Sequence, residues 1–199
     1  MGLFTRLMDA GADGSAGWRG CHGRTLLGSA ASGRSEEMVL TLNAEPGAKS
    51  DINVKFGARY ESALHVAAAQ GMEAVSATLM LAGVDPDLGD GEGRCPLHLA
   101  AEAGHHVIVQ ELLLKGACPE AKTWHKEHAP LHLAAQKGNT PCVSKLLLGG
   151  AGKDALNFVE ETPLFLAAEG SKLGAVEALG CGCQSRSSHV SSLSPVSAR

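Results

Sequence analysis

One seven-residue phrase recurs four times in this chain: Ser62-Ala63-Leu64-His65-Val66-Ala67-Ala68, Cys95-Pro96-Leu97-His98-Leu99-Ala100-Ala101, Ala129-Pro130-Leu131-His132-Leu133-Ala134-Ala135 and Thr162-Pro163-Leu164-Phe165-Leu166-Ala167-Ala168. The spacing is almost constant: 33 residues from His65 to His98, 34 from His98 to His132 and 33 from His132 to Phe165. Two glycine markers keep the same register. Gly71, Gly104 and Gly138 each lie six residues after their His, and Gly83, Gly116 and Gly150 lie twelve beyond those. A unit of this length cannot bury an apolar face by itself, so the chain must fold as a stack of like units.

Each marker has a physical reason. The phrase opens on a capping position followed by Pro, which suits the first helical residue because its missing N–H is not needed there. The Leu and the Ala pair form the apolar stripe of a short first helix, with Ala where a longer side chain would hold neighbouring units apart. Gly71, Gly104 and Gly138 end that helix in a left-handed conformation. A second helix follows, carrying Val107-Ile108-Val109 with Leu112-Leu113-Leu114 in one unit and Cys142-Val143 with Leu146-Leu147-Leu148 in the next. Gly-Ala at 116–117 and 150–151 closes it, and the polar stretch beyond becomes a projecting turn.

The period and the T-P-L-H-x-A style of opening resemble the ankyrin repeat. The resemblance is strong over residues 57–151 and good over 159–179. A degenerate copy, Gly23-Arg24-Thr25-Leu26-Leu27-Gly28-Ser29-Ala30-Ala31, lies upstream, and Leu7 to Asp13 looks like the end of a second helix. The expectation is an all-α ankyrin-repeat solenoid of about five stacked helix-turn-helix units with projecting turns. Its divisions are a partial repeat at 1–22, a degenerate repeat at 23–56, repeats at 57–90, 91–123 and 124–156, an incomplete repeat at 157–180 and a Ser-rich disordered tail at 181–199. Seven of the fifteen residues from Ser185 to Arg199 are Ser, too polar to order themselves by burial. Trp18, in a Gly-rich stretch, is expected to fold back as a partial cap.

Composition narrows the function. Hydrophobic residues make up 44% and aromatic residues only 4%, so packing must rest on Ala, Leu and Val. The net charge is −4, and neither a basic face nor a run of aromatic platforms is present, so nucleic acid is not the expected partner. No apolar run reaches the roughly 18 residues needed to span a bilayer. Met1-Gly2-Leu3-Phe4-Thr5-Arg6 has Arg where a myristoylation signal wants Ser or Thr. With no secretory signal before the six Cys, a reduced cytoplasmic setting is expected, the nucleus being the alternative. The chain is expected to be a monomer.

Nine His and six Cys invite a metal reading, which the register opposes. The resemblance implies that His65, His98 and His132 bond the backbone of a neighbouring turn. His125, His128 and His132 would share a helical face only if one helix ran through them, and Pro130 starts a helix there instead. Cys95 and Cys142 read as small core residues. Cys181 and Cys183 are too close for the usual zinc spacing. No nucleophile motif is visible, and Gly89-Asp90-Gly91-Glu92-Gly93 is a turn rather than a phosphate cradle, because its acids would repel phosphate. Neither cofactor, metal nor catalytic residue is expected.

What remains is the concave face that this architecture builds from turn tips and first helices. The repeat register places Lys55, Phe56, Arg59 and Tyr60 at one tip, Asp87, Asp90 and Glu92 at the next, then Lys122, Trp124, His125 and Lys126, then Asn157, Phe158 and Glu160. Rings beside charges fit the composition of contact sites. Partner-binding residues are therefore expected at Lys55, Phe56, Arg59, Tyr60, Trp124, His125, Lys126 and Phe158, with packing against the neighbouring turn as the alternative role for the rings. The expected function is a non-enzymatic protein–protein interaction module, an adaptor or scaffold. The alternative is a fragment or targeting region of a larger multidomain enzyme or scaffold.

Overall fold

The phrase that recurs in sequence recurs in space as a helical hairpin. The computed structural model describes residues 53–180, in which eight α-helices follow one another: α1 (Ala63–Gln70), α2 (Glu73–Leu81), α3 (Pro96–Ala103), α4 (His106–Leu114), α5 (Pro130–Lys137), α6 (Thr140–Leu148), α7 (Pro163–Glu169) and α8 (Leu173–Gly180). The upstream degenerate copy, Trp18 and the Ser-rich tail lie outside the described residues.

The helices form two layers. First helices pack side by side in the order α1, α3, α5, α7, and second helices in the order α2, α4, α6, α8. Ala67, Ala100, Ala134 and Ala167 are fully buried where the first helices meet, which explains why the recurring phrase ends on small residues. A larger side chain there would overpack the stack. Leu64, Leu97 and Leu131 fill the space between the layers, opposite Val75 and Leu79, Ile108 and Leu112, and Cys142 and Leu146. No unit owns a complete core, so each stabilises the next.

Three backbone devices lock the units together. The first is the recurring imidazole. The N–H of the helix-capping residue (Ser62, Cys95 or Ala129) donates to Nδ1 of the His three residues on, at 3.1 Å in each case. That leaves the proton on Nε2. His65 Nε2–H donates to the Arg94 carbonyl and His98 Nε2–H to the His128 carbonyl, both at 2.9 Å, and His132 Nε2–H is shared between Ala155 and Glu161. Each imidazole thus ties a helix start to the next turn. At the fourth position Phe165 cannot do this; its ring is 54% exposed, and the Thr162 hydroxyl instead accepts from the Phe165 N–H.

The second device sits where the first helix ends. Asn139 donates from Nδ2 to the carbonyls of Ala101 and Glu102, at 2.8 and 2.9 Å, so it caps the preceding unit's α3. His105, one period earlier, reaches the Ala69 carbonyl at 3.3 Å. Gly71 and Gly104 are required twice over: both have positive φ, and a Cβ at Gly71 would lie 2.5 Å from the His105 ring. The third device holds the chain just beyond α2, α4 and α6: Asn53, Asp87 and Glu120, each about one period upstream, accept the N–H of Asp85, Cys118 and Gly152 respectively.

Candidate interaction face

The turns between units are built by side chains that fold back on their own backbone. Asp90 accepts from the N–H groups of Glu92 and Arg94 at 2.8 and 2.9 Å, and Asn157 does the same for Val159 and Glu161. The Thr123 hydroxyl accepts from His128 N–H at 3.1 Å. A residue of positive φ recurs at one place in each turn, Tyr60, Gly93, Glu127 and Glu160 in successive units, and the first turn has a second at Gly57. Three of the four are not glycine, and the closed turn holds them there.

Adjacent tips are joined directly. Gly91 N–H donates to the Arg59 carbonyl, Trp124 N–H to Glu92 and Phe158 N–H to Lys126, at 2.8, 3.0 and 3.0 Å. These bonds recur with the sequence period and make the row of tips one connected edge. They also aim the side chains. A Cβ on Gly93 would come within 2.4 Å of the Trp124 ring, so the indole lies flat over that glycine with its other face in solvent. Tyr60 approaches Gly91 more loosely: a Cβ there would lie 3.5 Å from its Cδ2, an ordinary contact.

Between the tips and the first helices lies a cleft of about 410 Å³, lined by Glu92, Arg94, Glu102, Thr123, His125, Lys126 and Gln136 together with Leu133. Arg94 is held at 2.9 Å by the buried Asp90 carboxylate and at 3.4 Å by Glu92. Burial opposes ionisation of Asp90, yet the Arg94 and Glu92 N–H groups and the Arg94 guanidinium prevail and hold its carboxyl below the usual range. Glu102 pairs with Lys137 at 3.3 Å. His128 forms the inner wall; its ring stacks on His132 at a centroid distance of 5.7 Å, and burial together with that neighbour keeps it neutral.

The predicted contact residues divide. Lys55, Arg59, Tyr60, Trp124, His125, Lys126 and Phe158 are exposed on the row of tips, with Tyr60, Trp124 and Phe158 each more than 60% accessible. Phe56 is a correction. Its backbone pairs with Glu61 in both directions, at 2.8 and 3.1 Å, which turns the ring inward to join the core at 5% exposure. Asp90, which the register places at the second tip, is the buried keystone of that turn. Arg94, Glu102, Leu133 and Gln136 line the cleft unforeseen. Their places on the first helices and at turn ends follow from the period, and nothing in their chemistry singled them out.

Among the described residues one thiol lies against an imidazole. Cys95 Sγ lies 3.0 Å from His98 Nδ1, a spacing seen in nucleophilic pairs. Here burial pushes the thiol up to about 11 and the imidazole down to about 4, so both groups stay neutral and no thiolate forms. The contact is a packing bond.

Among the described residues no helix is long and apolar enough to cross a membrane. The sequence matches the family profile described as ankyrin repeats (three copies) over residues 30–123 and again over residues 64–147; the two windows overlap and together cover more than half of the chain.

Proposed function

We propose, since the chain belongs to the ankyrin repeat family, that it is a non-enzymatic adaptor which holds another protein along its row of turn tips and the cleft behind them. The repeats of this family are in general protein–protein interaction modules. The observation that carries the finer reading is Trp124: a large ring, 67% exposed, fixed against a glycine of the neighbouring turn and flanked in sequence by Thr123 and His125, which line the cleft. An aromatic residue held rigid before a partner arrives loses little entropy on binding, which is the property of an interface anchor. Tyr60 stands exposed on one side of it and Phe158 continues the row on the other.

The test is to replace Tyr60 by Asn, which tolerates the left-handed backbone, and Trp124 by Ala in the same chain. Partners captured from native extract by the unaltered chain should be lost, while the double variant still melts cooperatively. Undiminished capture would reject this face as the binding surface. Loss of cooperative melting would make the two rings structural.

A further inference from the structure

We infer that the segment held at this face is acidic: an extended stretch of another protein presenting Asp or Glu side chains to the turn formed by Trp124, His125 and Lys126. The inference rests on the interaction reading above and names the chemistry of the partner.

It follows from how the charges at the face are spent. Five of its carboxylates already have cationic partners within the chain, Asp90 and Glu92 on Arg94, Glu102 on Lys137, Glu127 on Lys122 and Glu61 on Arg59, while Glu160 has none among the described residues. Beyond Lys122, three donors of the third turn have no such partner. Trp124, His125 and Lys126 are three consecutive exposed residues, and among the described residues none of their side-chain nitrogens meets an acceptor. The turn is fixed on both sides, by Trp124 N–H on the Glu92 carbonyl and by Phe158 N–H on the Lys126 carbonyl. An indole N–H, an imidazole and an ammonium therefore stand together on a rigid edge, at the mouth of a cleft that two of them line. Their common complement is a carboxylate, and Leu133 in the cleft lining offers an apolar rest for a side chain beside it.

The next tip sets the limit of the pattern. It carries Phe158 and the exposed Glu160, so the complementarity to acid is local to the third turn. A segment with acid throughout would be repelled one unit further on. The occupant that fits places its acid opposite Lys126 and an uncharged or basic residue opposite Glu160.

The test uses a displayed library of random linear peptides panned against the full chain. Peptides that bind should be enriched in Asp and Glu, and binding should weaken as salt is raised. For a synthetic peptide from the enriched set, each Asp→Asn or Glu→Gln change at the contacting position should weaken binding about three- to fivefold. Lys126→Glu should reverse the preference, so that a peptide with Lys at that position binds better than its acidic parent. Lys126 is exposed, so the variant should melt like the unaltered chain. Enrichment of neutral or basic peptides that still require Trp124 would overturn the acidic inference and leave the interaction face standing. Peptides indifferent to both Trp124 and Tyr60, or no enrichment at all, would overturn both.

Discussion

Lowering the pH from neutrality toward about 4 should weaken the stack through His98 before most carboxylates titrate. The His98 ring is fully buried; its Nδ1 already accepts the Cys95 N–H, so a second proton would set one N–H against another. Burial accordingly lowers its pKa from 6.5 to about 4. In the unfolded chain the imidazole binds its proton near 6.5, and in the folded chain only near 4. The stability tied to a neutral His98 is thus fully present above 6.5, falls as the pH drops through the window, and levels off below about 4. The gap corresponds to about 3 kcal/mol, lost at roughly 1.4 kcal/mol per pH unit. His65 and His132 are lowered for the same reason and act in the same direction. Asp90 acts separately, because its depressed pKa matters only below its ordinary 3.8. The assay is urea unfolding of the chain and of His98→Gln at a series of pH values. The variant keeps a donor toward the His128 carbonyl but lacks the buried base. The stability difference between the two should shrink by roughly 1.4 kcal/mol per unit as the pH falls through the window. Parallel curves would refute the reasoning.

Other consequences are simpler to read. Phe56→Ala should cost about 3 to 5 kcal/mol, whereas Phe158→Ala should change stability by less than about 0.5 kcal/mol, although both rings belong to turns between helical units; chemical denaturation compares them. Asn139→Ala removes two bonds to the end of α3 and should cost about 1 to 2 kcal/mol by the same measurement. With a thiol reagent and mass spectrometry of the labelled peptides, Cys118 should react in the native chain, while Cys95 and Cys142 should wait for unfolding, being buried with thiols pushed up to about 11.

The stack was legible because its determinants are local and repeat. Gly104 takes positive φ where the period requires it, Pro96 and Pro130 stand at helix starts, and Cys142 is buried at the apolar position the register assigned it. The site was legible only in part, because orientation within a turn depends on bonds between units. Phe56 and Phe158 read alike in sequence; one bonds back across its own turn and points inward, while the other bonds to the preceding tip and points outward. The burial of Asp90 depends on Arg94, which it binds at two nitrogens, and the repeat period alone does not pair them. His105 and Asn139 perform one task with different side chains, so only their shared place in the period could have linked them. The left-handed residues Tyr60, Glu127 and Glu160 have no glycine to announce them, and only alignment with Gly93 marks the position.

The central claim, that a partner lies along the row of tips, is tested most directly by photo-crosslinking. A photoreactive residue placed at Trp124 should trap the partner in native extract, while the same residue at Leu148, exposed at the end of the second helix α6, should trap little. Crosslinks concentrated at Leu148 and absent at Trp124 would contradict the account.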